Sequence, residues 1–134
     1  MASLFELEKP PFGQLTKGKS FKGDVDATAT LTADDCIEKI LESGPDGNIT
    51  LTLPSAAKIV EKLGQQALLG QTFELTIINT ASSGTKTVTL AAPNPAAGSA
   101  VVGSGAVPIA TSGTFIGRVE DPLKGQEAVA FYRK

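Results

Sequence analysis

Thr72-Phe73-Glu74-Leu75-Thr76-Ile77-Ile78-Asn79, followed across Thr80-Ala81-Ser82-Ser83-Gly84 by Thr85-Lys86-Thr87-Val88-Thr89-Leu90-Ala91, decides the fold class. Apolar and polar side chains alternate through both runs with the two-residue period of half-buried strands. The five residues between them suit a hairpin loop. That pairing places Phe73, Leu75 and Ile77 on an inward face with Val88 and Leu90 across the pair.

The same reading extends toward the C-terminus. Residues 92 to 106 are rich in Pro, Gly, Ala and Ser and read as a loop or a loosely paired edge around Val101-Val102. Strands are then expected at Val107–Ala110, Thr114–Glu120 and Glu127–Tyr132, separated by Thr111-Ser112-Gly113 and by Asp121-Pro122-Leu123-Lys124-Gly125. Toward the N-terminus, Ile49-Thr50-Leu51-Thr52-Leu53 alternates cleanly after the turn chemistry of Gly44-Pro45-Asp46-Gly47-Asn48. Val25 to Leu31 has the same period.

Two helices interrupt the strands. Pro54-Ser55 opens one over residues 56–63, with Ala56, Ile59, Val60 and Leu63 as its apolar stripe and Gly64 as its stop. Thr32-Ala33-Asp34-Asp35 offers a hydroxyl cap and first-turn carboxylates for the other. Cys36, Ile37, Ile40 and Leu41 then fall on one helical face, which predicts that this helix runs to Ser43-Gly44-Pro45. The sum is an all-β fold with one or two short helices, a β-sandwich or jelly-roll-like domain of seven or eight short strands over residues 25–134.

Residues 1–24 read as an extended N-terminal arm. Pro10-Pro11 holds the chain extended and removes two backbone donors. The arm reads either as a disordered terminus or as a segment that orders on a neighbour, and Leu4, Phe5, Leu15 and Phe21, more apolar surface than a solvated tail needs, favour docking. Phe12 joins them as a candidate contact. Together with Pro10 and Pro11 they are the candidate contact residues for a neighbouring subunit or surface.

Composition narrows the function classes. Twelve basic against fourteen acidic residues give a net charge of −2, without the Lys/Arg excess that phosphate neutralisation requires, so no nucleic-acid partner is expected. No apolar run approaches the ~20 residues of a spanning helix, and Met1 to Gly13 lacks the basic-then-apolar order of a signal peptide. The single cysteine, Cys36, excludes an internal disulfide and, among apolar neighbours, reads as core.

There is no histidine, which removes the usual general base, the Ser-His and Cys-His pairs and most zinc sites. The carboxylates sit where caps, turns and solvated faces explain them: Asp34 and Asp35 at a helix start, Asp46 and Asp121 in turns, Glu74 and Glu127 on strands. Asp24, Asp26, Asp46 and Asn48 are loop oxygens of the type calcium takes, but no DxDxDG pattern joins them. The glycines at 98, 103 and 105 lack the Gly-Lys-Ser/Thr and following helix of a phosphate loop. No catalytic residue, metal ligand or cofactor is assigned, and the chain reads as a non-enzymatic structural protein. A carbohydrate-binding module is the competing reading for a sandwich. Sugar rings stack on flat aromatics, however, and beside Tyr132 the chain has six phenylalanines, of which Phe73, Phe115 and Phe131 are expected in the core.

Three stretches carry a family likeness: Ala29-Thr30-Leu31-Thr32-Ala33, Ile49 to Ala56, and Phe73 to Thr80. With Ser112-Gly113-Thr114-Phe115 and Glu127-Ala128-Val129-Ala130-Phe131-Tyr132-Arg133, they resemble head decoration, or cement, proteins of tailed bacteriophages and related fibre domains. The resemblance covers residues 27 to 133 and leaves the arm outside. It implies a trimeric β-sandwich subunit on the outer surface of the virion capsid that bridges neighbouring capsomers of the major capsid protein. A trimeric fibre or spike domain of the virion is the alternative it implies. The family has no catalytic residues to carry over.

Overall fold

The structure, a computed structural model, describes residues 18–134. Strand dominates, as the alternation predicts, with ten strands and two α-helices among the described residues. In chain order these are β1 (Ser20–Lys22), β2 (Ala29–Thr30), α1 (Ala33–Cys36), β3 (Lys39–Ser43), β4 (Ile49–Thr52), α2 (Ala56–Leu63), β5 (Thr72–Asn79), β6 (Val88–Ala91), β7 (Ser99–Val102), β8 (Ala106–Val107), β9 (Thr111–Asp121) and β10 (Ala128–Arg133). They form a six-stranded sheet, β1-β3-β5-β9-β10-β7, and a four-stranded sheet, β2-β4-β6-β8.

From β1 to β9 every strand switches sheet, so strands consecutive in sequence are not partners. Strands two apart pair instead, and in parallel: β1 with β3, β3 with β5, β2 with β4, β4 with β6. Only β9 and β10 form an antiparallel pair joined directly through their loop. This overturns the hairpin expected between residues 72 and 91. Phe73, Leu75, Ile77, Val88 and Leu90 are all buried in one cluster, but β5 and β6 belong to different sheets.

Side chains at the crossings hold this winding path. Asn79 is buried; its Nδ2 donates to Lys86 O (2.7 Å) and Val107 O (2.9 Å), and its Oδ1 accepts from Ala81 N (3.0 Å). Asn48 Oδ1 accepts from Thr87 N (2.9 Å), Thr28 Oγ1 from Thr50 N (3.1 Å) and Asp26 Oδ1 from Gly44 N (2.7 Å). Asn48, Thr28 and Asp26 thus each satisfy a backbone N–H, and Asn79 two backbone carbonyls, of segments they are not adjacent to in sequence. A two-residue hairpin needs no such ties.

The helix expected from Thr32 to Ser43 stops at Cys36. Its start is as read: Thr32 Oγ1 accepts from Asp35 N (3.2 Å) and Asp35 Oδ2 from Thr32 N (3.1 Å), a capping box. Glu38 then takes a positive φ of 51°, and Lys39–Ser43 becomes β3 between β1 and β5. Leu41 fits either period, but two flanking strands offer β3 hydrogen bonds on both edges, and that tertiary gain outweighs one more turn of helix. Helix α2 forms where expected, capped by Ser55 and closed by Gly64 at φ 59°.

The two sheets share one hydrophobic cluster. The six-stranded sheet contributes Leu41, Phe73, Leu75, Ile77, Phe115, Val119, Val129 and Phe131, and the four-stranded sheet Ile49, Leu51, Val88, Leu90 and Val107. Cys36, Ala56 and Ile59 from the helices belong to the same cluster. Phe73 and Phe131 meet edge to face, with centroids 5.6 Å apart at 79°. Gly117 lies beneath them, and a Cβ there would overlap the Phe73 ring.

Candidate assembly surface

Burying one face of the six-stranded sheet turns the alternate residues outward. Register places Phe21, Ile40, Thr76 and Thr114 side by side on four successive strands, β1, β3, β5 and β9. The next row reads Glu74, Ile116, Tyr132 and Val102 on β5, β9, β10 and β7, and a third reads Glu42, Ile78 and Ser112. Phe21 is 60% exposed and Val102 50%, while Ile40, Ile78, Ile116 and Tyr132 are half-buried. The result is an outer face of apolar groups, with the paired hydroxyls of Thr76 and Thr114 (2.9 Å) between them.

Two charged clusters sit on that face. Glu74 accepts from Lys19 Nζ (2.6 Å) and Lys134 Nζ (3.2 Å), bonds that hold its carboxyl below the ordinary range. Glu120 Oε2 accepts from Arg118 Nη2 (2.6 Å) and Tyr132 Oη (2.8 Å). Those bonds lower the Glu120 carboxyl, and the same carboxylate raises the Tyr132 phenol. The Arg118 guanidinium also lies 5.7 Å from the Tyr132 ring centroid. Charges already neutralised by neighbours lose less on meeting another surface than isolated ones.

Phe21, one of the seven candidate contact residues, stands on this face. Leu4, Phe5, Pro10, Pro11, Phe12 and Leu15 lie outside the described residues. The segment read as arm over 1–24 enters the fold before its expected end, because Ser20–Lys22 is already β1, paired in parallel with β3. Ile40, Ile78, Ile116 and Val102 were not singled out by sequence reasoning as surface. Helical spacing places Ile40 on a helix face, and the signal for an apolar outer face is Ile77-Ile78, two consecutive isoleucines on opposite faces of one strand.

Several polar and titratable groups elsewhere are engaged in local structure. The Cys36 thiol is fully buried, and burial first and Asp35 second push it well above its ordinary value, so it stays protonated core. Asp26 and Asn48 cap backbone N–H groups, and no group of three or more metal-type side chains converges among the described residues. A groove of about 810 Å³ opens at the ends of β2 and β4, with Leu31 and Leu53 among its lining residues. Its hydroxyls at Thr32 and Ser55 accept the cap bonds of α1 and α2 (3.2 and 3.4 Å), and its Lys62 pairs with Asp34 at 3.6 Å. Among the described residues no helix is long and apolar enough to cross a membrane.

Comparisons with family models, with curated proteins and with solved structures found no match to this chain.

Proposed function

We propose that this chain is a viral capsid decoration, or cement, protein: a β-sandwich, jelly-roll-like subunit that acts as a homotrimer on the outer surface of the shell. It stabilises the shell by bridging capsomers of the major capsid protein. The observation that carries this reading is the outer face of the six-stranded sheet, where Phe21, Ile40, Ile78, Ile116, Tyr132 and Val102 stand beside internally neutralised charges. Such a mix of apolar groups, threonines and an arginine is the composition of a non-obligate protein interface rather than of a solvated sheet face.

Size decides how the face must work. Six strands span about 24 Å and the eight residues of β5 about 26 Å, a flat area on the order of 600 Å². A standard interface buries about 800 Å² per partner. One copy therefore holds a shell weakly, and several joined copies hold it by avidity. That arithmetic favours a multi-copy cement over a module that binds its ligand alone.

The test is sedimentation of the full chain with shells assembled from the major capsid protein of the virus that encodes it. The chain is expected to pellet with shells and raise their disruption temperature, and Ile116→Asp to reduce occupancy at least tenfold while remaining folded. Failure of the native chain to pellet with shells overturns the proposal.

A further inference from the structure

Among the described residues β1 and β7 end the six-stranded sheet, and each carries one strongly exposed apolar side chain, Phe21 at 60% and Val102 at 50%. Ser20 N donates to Glu38 O on the β3 side (3.1 Å), so by alternation the N–H and C=O of Phe21 point away from β3. On the other border Val129 N donates to Gly98 O (3.0 Å), which by the same alternation turns the peptide groups of Val101 away from β10. Among the described residues both borders thus present open backbone donors and acceptors.

Such edges are commonly guarded by lysines. Here Lys22 of β1 and Lys19 just before it are turned to other work: Lys19 reaches Glu74 at 2.6 Å and Lys22 reaches Asp35 at 3.1 Å, both on the same chain. No charged side chain lies between Ser99 and Val107 on the other border.

Direction selects the partner. β1 runs parallel to β3 and β5, β9 antiparallel to β5, β10 antiparallel to β9, and β7 parallel to β10. The two border strands therefore point the same way, and a rotation about an axis along the strands brings β7 of one copy beside β1 of the next in parallel. This fold already pairs edge strands that way on both borders.

We propose that a second copy of this chain docks border to border, β1 of one copy pairing in parallel with β7 of the next and seating Phe21 beside Val102, so that the six-stranded sheet continues between subunits. This rests on the reading of the chain as a self-assembling subunit. The contact is heterologous, and it closes into a ring when the rotation from copy to copy divides a full turn, the homotrimer being one such case.

A mixing experiment on the full chain tests it by solution mass. Phe21→Pro removes the outward N–H of β1, a substitution an edge strand tolerates, and Val102→Lys charges the border at β7. The native chain is expected to associate above 13.8 kDa, each variant alone to run at 13.8 kDa, and an equimolar mixture to recover a species of twice that mass, because each variant keeps the border the other lacks. A native monomer overturns the proposal, as does a variant that still self-associates, which would mean like borders pair. If Phe21→Pro fails to fold, Phe21→Lys replaces it with the same three expectations. Shell binding is not read in this experiment, so failure on shells with recovery in the mixture would remove the capsid role and leave the interface standing.

Discussion

The two faces of the six-stranded sheet share the same strands and differ in what covers them. Inward, Leu41, Leu75, Ile77, Phe115, Val119 and Phe131 have no exposed surface. Outward, one residue along on the same strands, Ile40, Ile78, Ile116 and Tyr132 keep part of theirs. Fully burying a large apolar side chain stabilises by about 1.5–3 kcal/mol, and leaving a cavity where one stood costs more. The inner face therefore holds the fold, and the outer face leaves apolar area uncovered.

Neighbouring isoleucines on β5 give the sharpest way to break this comparison. Ile77→Ala is expected to lower the unfolding free energy by about 2–5 kcal/mol through a cavity, and Ile78→Ala by less than about 1 kcal/mol. Urea denaturation of both variants checks it, and equal losses would mean that the outer face is as much core as the inner.

Next in size is Gly117→Ala on β9. The added methyl has no room unless the Phe73 ring leaves its edge-to-face contact with Phe131, a strain of about 1–3 kcal/mol. The loss should appear in thermal unfolding. A neutral substitution would show that this part of the inner face has slack.

The smallest effect belongs to the outer face and depends on pH. Bonds from Lys19 and then Lys134 hold the Glu74 carboxyl below its ordinary 4.5, so it binds protons less readily folded than unfolded. Its contribution is present above that ordinary value and is lost as pH falls through the lowered folded one. In Glu74→Gln the loss of stability between about pH 5 and 3 should be shallower than in the native chain, with the two converging at the acid end. Identical slopes would mean that the pair contributes nothing on this solvated face.

Much of this architecture was legible in the chain. The alternation through Phe73-Glu74-Leu75-Thr76-Ile77 identified both β5 and its buried side. Ser55 and Gly64 bracketed α2, and Thr32 marked the start of α1, because caps and strand period are set by residues within a few positions of one another. The end of α1 was not legible: Cys36, Ile37, Ile40 and Leu41 satisfy a helical spacing, and only the presence of β1 and β5 on either side makes Lys39–Ser43 a strand. The candidate assembly surface was legible only at Phe21, since Ile116 reads as one more strand residue and Val102 as part of a loop or loosely paired edge until the sheet's covered side is known.

Taken alone, the sequence determined a predominantly β chain, the caps of its helices, the inward side of β5 and the lack of the histidine chemistry most sites would use. Those properties depend on composition and on spacings of two to four residues. The tertiary structure decided which strands are neighbours, that consecutive ones alternate between two sheets, and that Phe21, Ile116 and Val102 share one exposed face. Pairing energies come from backbone bonds between segments far apart in sequence. Asn48 and Asn79, which anchor the crossings, look like an ordinary turn residue and an ordinary strand end until the strands they join are in place.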